Sequence, residues 1–310
     1  MRNRISEVGF NAGAFGRQGD LDALDRRIGE QADMGADVCE LFATHLDVVS
    51  ACRLVPHRMA ALKDVLGRHS IRYTLHAPIA VNLMDEPHLA LQVRAAEASL
   101  ELAAECGATI VVIHPGRVPP ALWVDDADGL LARERETLAK LGDRAAALGI
   151  RIAYENMSPN RRIIAGEETS YAMDLIALAD QIDALDHSAV VACLDVSHAQ
   201  QGAGLRGFDL VEQTRHLAPH VGHIHFSDST GVPSRIQWDE DAERLFFGIG
   251  DMHAPPGWGA LDFDRLADVL AIRDETAIVI ELKPSHYDHS RAETLAAARA
   301  FGERINGLNA

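Results

Sequence analysis

The chain has 310 residues, of which 47% are hydrophobic and 24% charged. That profile supplies a sizeable core and excludes the disordered and collagen-like classes. The formal net charge of −17 repels nucleic acid and anionic membrane over most of the surface, though it allows a local cationic site. No apolar run approaches the roughly 18 residues that span a bilayer. The opening MRNRISEVGF lacks the apolar stretch of a secretory signal, and Cys39, Cys52, Cys106 and Cys193 form no CxxC pair. A cytoplasmic protein with reduced thiols is expected.

Short apolar runs alternate with longer stretches of helical pattern. In chain order the runs are 8–11 (VGFN), 37–42 (DVCELF), 71–76 (IRYTLH), 109–114 (TIVVIH), 150–155 (IRIAYE), 190–195 (VVACLD), 221–226 (VGHIHF) and 277–282 (AIVIEL). Short runs rich in Val and Ile suit strands buried on both faces of a parallel sheet. Between them, stretches such as 93–106, 130–148 and 263–272 carry apolar residues at helical spacing. Gly67, Gly107 and Gly149 stand where helix C-caps belong, and Asp20 and Asp262 where N-caps belong.

Eight strand–helix units without a low-complexity linker predict an α/β fold, a single (β/α)8 TIM barrel over 1–310. An open doubly wound sheet is the alternative; it calls for GxGxxG after the first strand, which Gly9, Gly13 and Gly16 do not spell. The seventh β–α connection is long and holds Trp238, Phe246, Phe247 and Trp258. Its segment 230–250 is expected to bury Trp238, Phe246 and Phe247, either by folding over the barrel mouth or by covering a neighbouring loop or subunit.

Reacting groups in such a barrel sit at the carboxyl ends of the strands. There the third to eighth runs carry His76, His114, Glu155, Asp195, His225 and Glu281. With Asp, Glu and His together at 61 of 310 residues, six strands in a row meet this condition by chance about 1–2% of the time. A lone strand-end histidine is more often structural, but here imidazoles keep company with carboxylates on buried segments, where unpaired charge is costly. His198 follows Asp195 in DVSH, and Asp251 and His253 flank Met252, a spacing that puts both on one side of an extended segment. Carboxylates mixed with imidazoles suit Zn, Mn or Fe as divalent ions. His223, Cys193, Cys39 and Cys106 read as structural. Lys283, two residues after Glu281, and Trp258 are candidate substrate contacts.

These residues carry a resemblance. HAPIAVNL at 76–83, VIHPG at 112–116, YEN at 154–156, LDVSHA at 194–199, HIHFSDS at 223–229 and IELKP at 280–284 follow one another in family order. Together with DMHAPPGWGALDF at 251–263 they resemble the motifs of the xylose isomerase-like TIM-barrel superfamily, which includes sugar phosphate isomerases and epimerases and the endonuclease IV family. The resemblance covers nearly the whole chain. It implies Glu155, Asp195, His225 and Glu281 as the metal set shared by isomerases and epimerases. The endonuclease IV branch would add His76 and His114 at a further ion bridged by Glu155, and His198, Asp251 and His253 at another, for one to three ions in all. The chain departs from that branch in its acidic charge, in the lack of a basic, aromatic-laced stretch for gripping a duplex, and in the length of the loop before Asp251.

The preferred expectation is a divalent-metal-dependent isomerase or epimerase of a small polyhydroxylated, sugar-like substrate. Glu155 and Glu281 would move a proton off and onto carbon, and His198 would hold a substrate hydroxyl. Lyase chemistry would begin with the same proton abstraction. The alternatives are an endonuclease IV-like zinc hydrolase of a phosphodiester and a non-catalytic metal-binding barrel. The expected partner is a small molecule and neither nucleic acid nor membrane, with homo-oligomers left open.

Overall fold

The computed structural model describes residues 4–13, 17–233, 236 and 241–308. Eight parallel strands close a barrel: β1 (Ile5–Asn11), β2 (Val38–Phe42), β3 (Arg72–His76), β4 (Ile110–Ile113), β5 (Arg151–Glu155), β6 (Val190–Asp195), β7 (Val221–Phe226) and β8 (Thr276–Ile280). Each pairs with its neighbours in chain order, and β1 closes the ring on β8. These are the eight predicted runs; His114 and Glu281 fall one residue beyond the ends of β4 and β8. Gly9 lets β1 lie against β2, because a Cβ there would stand 1.7 Å from the Val38 carbonyl oxygen.

Alternation along the strands divides the core in two. One set of side chains packs outward beneath the helices, Phe10, Leu41, Leu75, Ile152 and Ile224 among them. The other set fills the barrel. Its apolar layers hold Val112, Ala153, Val191 and Cys193 on one side and Val38, Ala277 and Val279 on the other. The strand register then sets Glu155 level with Cys193, and Asp195 level with His225.

The helix Leu89–Cys106 ends at Gly107 in the left-handed conformation, φ +69°. Gly149 is likewise left-handed, whereas Gly67 is an ordinary right-handed residue, φ −68°. Asp20 and Asp262 cap their helices by accepting the N–H of Ala23 and Arg265. The helix expected over 263–272 is shorter, Phe263–Ala267. Arg304 grips the Asp268 carboxylate at 2.6 and 2.8 Å, and Leu270 and Ile272 turn into the core.

The connection from β7 to β8 contains the helix Asp241–Phe247. Within the single chain the expected burial is not found at Phe246 and Phe247, which are 87% and 55% exposed there and meet each other edge to face. The segment closes on itself instead: Thr230 Oγ1 donates to the Gly248 carbonyl, Gly250 N–H to the Val232 carbonyl, and Arg244 to the Asp251 carbonyl. Trp238 lies outside the described residues. No helix among the described residues is long and apolar enough to cross a membrane.

Candidate metal and active site

The nine expected ligands gather at the carboxyl end of the barrel in three groups: His76, His114 and Glu155; Glu155, Asp195, His225 and Glu281; and His198, Asp251 and His253. Within each group the ligand atoms lie within 4.8 Å of one another. Glu155 belongs to two of them. Its Oε2 is 2.9 Å from His114 Nε2 and 3.3 Å from His76 Nε2, while its Oε1 is 2.9 Å from His225 Nδ1. His225 Nδ1 is also 3.6 Å from Glu281 and 4.0 Å from Asp195. The third group adjoins the second, with His198 Nε2 3.8 Å from Asp195 and His253 Nδ1 3.7 Å from Glu281.

Local sequence explains how each ligand is aimed. Asp195 is the N-cap of the helix Val196–Arg206; its Oδ1 accepts the His198 N–H at 2.7 Å. Its Oδ2 is buried among the ligands with no hydrogen-bond partner among the described residues. Asn156 ties β5 to β6 by accepting from the Asp195 N–H and donating to its carbonyl. The carbonyls of Ala77 and Asn156 take the Nδ1 side of His76 and His198, at 2.7 and 2.9 Å, which leaves each Nε2 facing the site. Asn11 Nδ2 donates to Glu281 at 3.3 Å.

Asp251 and His253 ride on a loop that Asp228 holds. This carboxylate accepts the N–H groups of Ser229, Gly257, Gly259 and Leu261. Glycine is required at 259, where a Cβ would meet Asp228 Oδ1 at 2.3 Å, and Gly257 is left-handed at φ +87°. His253 is left-handed too, φ +43°, so the backbone at its approach to Asp251 (2.7 Å) is not the expected extended segment.

Electrostatics and burial oppose each other here. Burial would lift the Glu155 carboxyl, but the His225 and His114 imidazoles hold it well below the usual range. Burial would lower His225 and His198. The first is nevertheless raised well above its usual value by the Glu281, Glu40 and Glu155 carboxylates, and the second by Asp195 and Asp251. Asp195 is pushed up to about 6 by burial and by the neighbouring Glu155 and Glu281 carboxylates. Protons on His225 and His198 therefore offset part of the buried carboxylate charge in the ion-free protein. A hard oxygen and imidazole donor set, nearly all buried, with the Asp195 Oδ2 atom orphaned, fits a divalent cation in their place.

A cavity of about 420 Å³ opens above the ligands, walled by Phe42, His45, Arg117, Asn160, Arg162 and Lys283. Trp258 is not part of this wall; its ring is 47% exposed and stacks on His289. Cys193 sits below, beside Glu155 and His225, its thiol held protonated by burial.

Sequence reading passed over several supporting groups. Glu40 is fully buried inside the barrel, against Thr74, His223 and His225. Glu134, also fully buried, accepts the hydroxyls of Tyr154 and Tyr171 and the Gly116 N–H behind β5. The signal for Glu40 was its place as the one acidic residue inside the apolar strand DVCELF other than at its start.

A D-tagatose 3-epimerase-like protein superposes with a TM-score of 0.71 at 20% identity, covering 98% of this chain and 100% of that one. The IolI protein with a bound zinc atom gives a TM-score of 0.63 at 18% identity, covering 98% and 99%. At these identities the likeness concerns the fold. The uncharacterized protein MJ1311 of Methanocaldococcus jannaschii is 26% identical over 203 residues, 64% of this chain; the match spans 63% of that protein, less than two thirds of its length. The family model for the xylose isomerase-like TIM barrel matches residues 28–304, and the chain belongs to that family.

Proposed function

We propose that this protein is a divalent-metal-dependent isomerase or epimerase acting on a small polyhydroxylated, sugar-like molecule. The observation that carries the reading is the placement of two carboxylates, Glu155 and Glu281, 2.9 and 3.6 Å from the same His225 nitrogen, beneath a cavity of monosaccharide scale. The sugar epimerase among the structural neighbours supports it.

Glu155, Asp195, His225 and Glu281 would hold a Zn, Mn or Fe ion, which when bound supplies the charge that polarises a carbonyl–hydroxyl pair. Of the two carboxylates, one takes the proton from carbon and the other returns it, which inverts or relocates the centre between them. His198, aimed by the Asn156 carbonyl, holds a substrate hydroxyl through Nε2. Lys283 reaches the cavity from the segment after Glu281 and binds the far end of the substrate. Phe42 and the buried barrel interior keep bulk water from the proton in transit. The setting proposed is a single domain over 1–310 in the cytoplasm.

One observation favours a second reading. His76, His114, His198, Asp251 and His253 assemble two further ligand groups that a mononuclear epimerase does not need. With two or three ions they would suit phosphodiester hydrolysis.

The test strips the protein with chelator, reloads it with each metal, counts metal per chain by elemental analysis, and assays a panel of aldoses and ketoses beside an abasic-site duplex. Metal-dependent sugar interconversion, lost in Glu281→Ala together with the tightly held ion, is expected. Efficient duplex nicking lost in His198→Ala, with no sugar turned over, would overturn the proposal in favour of the hydrolase.

A further inference from the structure

We infer that Glu40 is a positioning residue for the metal set: it fixes the proton of His225 on Nε2 and so makes Nδ1 the ligand atom. The inference rests on the metal-dependent reading above.

Glu40 lies in the middle of β2, fully buried, one layer below the ligands. A carboxylate there is expensive unless its oxygens are used. Oε2 takes two partners, and Oε1 faces the His225 ring. Thr74 Oγ1 donates to Oε2 at 2.9 Å, His223 Nε2 lies 2.9 Å from the same oxygen, and His225 Nε2 lies 3.0 Å from Oε1. The His225 contact is close but bent. Neither of its two atoms has a hydrogen-bond partner of good geometry among the described residues.

The opposite edge of the same ring faces the proposed metal set, with Nδ1 2.9 Å from Glu155, 3.6 Å from Glu281 and 4.0 Å from Asp195. A neutral imidazole carries one N–H and one lone pair, and an ionised carboxylate only accepts. Glu40 therefore demands the hydrogen on Nε2 and leaves the lone pair on Nδ1, the atom aimed at the ligands. His76 and His198 are set the other way round, because backbone carbonyls take their Nδ1 side. One site thus uses two orientations of histidine, with a carboxylate behind His225 and backbone carbonyls behind His76 and His198. The pattern His-Ile-His puts His223 and His225 on one face of β7, so a single carboxylate serves both.

The test has two parts, both on the full chain. Zinc affinity is measured by chelator competition for the parent, Glu40→Gln and Thr74→Val. Outer partners of ligating histidines typically matter 10–100-fold, so a loss of about that size is expected in Glu40→Gln. Thr74→Val removes a different donor to the same carboxylate and should stay within about threefold. Because Glu40→Gln alters a buried site, the second part uses the parent protein: long-range proton–nitrogen NMR of the ¹⁵N-histidine-labelled, zinc-loaded chain. It should report His225 with Nε2–H and a zinc-shifted Nδ1. Zinc on Nε2 of His225, or equal zinc affinity in folded Glu40→Gln, would overturn this role while leaving the proposed function standing. A parent chain that takes up no zinc, manganese or iron would sink the proposed function, and the role of Glu40 with it.

Discussion

Glu155 lies 2.9 Å from His225 through one carboxylate oxygen and turns the other away, toward His114 and His76. One side chain at the end of β5 therefore joins two ligand groups. Glu155→Gln keeps its volume and removes the charge that both groups share. Metal content by elemental analysis should fall to background and turnover by at least about 100-fold, with circular dichroism of the barrel unchanged. Full metal content in that variant would contradict the assignment.

Metal loading should release protons. Neighbouring carboxylates raise His225 and His198 well above their usual range, and Asp195 is pushed up to about 6. The two histidines hold protons in the ion-free protein near neutral pH, and Asp195 does so below about 6; all must lose them to ligate. Affinity should therefore rise with pH between about 5 and about 8, and titration heats should scale with the ionisation enthalpy of the buffer. Affinity flat across that window would contradict the electrostatic account.

The loop bearing Asp251 and His253 depends on Asp228, whose carboxylate accepts four backbone N–H groups. Asp228→Ala should cost roughly 2–4 kcal/mol and lower the melting temperature by several degrees. An unchanged melting temperature would show that the loop is held by other contacts.

Lys283 and Trp258 separate a cavity residue from a stacked surface ring. Lys283→Met should raise KM about tenfold with kcat within about threefold, the pattern of a group that binds substrate without entering the chemistry. Trp258→Ala should leave KM within about twofold, because its ring rests on His289 outside the cavity wall. The reverse pattern in steady-state kinetics would move the substrate to the other side of the mouth.

The barrel was legible because its signal is local. Each strand is a Val/Ile run buried on both faces, and the same period that buries Ile152 and Ile224 outside sends Glu155 and His225 inward. The gathering of the strand-end imidazoles and carboxylates was legible for the same reason. Glu40 was not, because its partners Thr74 and His223 lie 34 and 183 residues away and only closure of the ring brings them together. Asp228 escaped notice likewise, since the N–H groups it gathers lie mostly about thirty residues on. Phe246 and Phe247 lie toward solvent on the single chain, where the segment closes on itself by hydrogen bonds rather than over the barrel mouth.

Proton transfer at carbon is the central claim, and solvent isotope exchange tests it most directly. The metal-loaded protein is incubated in D₂O with the aldose and ketose panel and followed by proton NMR. The account expects deuterium to enter at the carbon beside the carbonyl of at least one substrate, with exchange lost in Glu281→Gln although that sugar still binds. No exchange into any substrate that binds the loaded site, or exchange undiminished in Glu281→Gln, would contradict it.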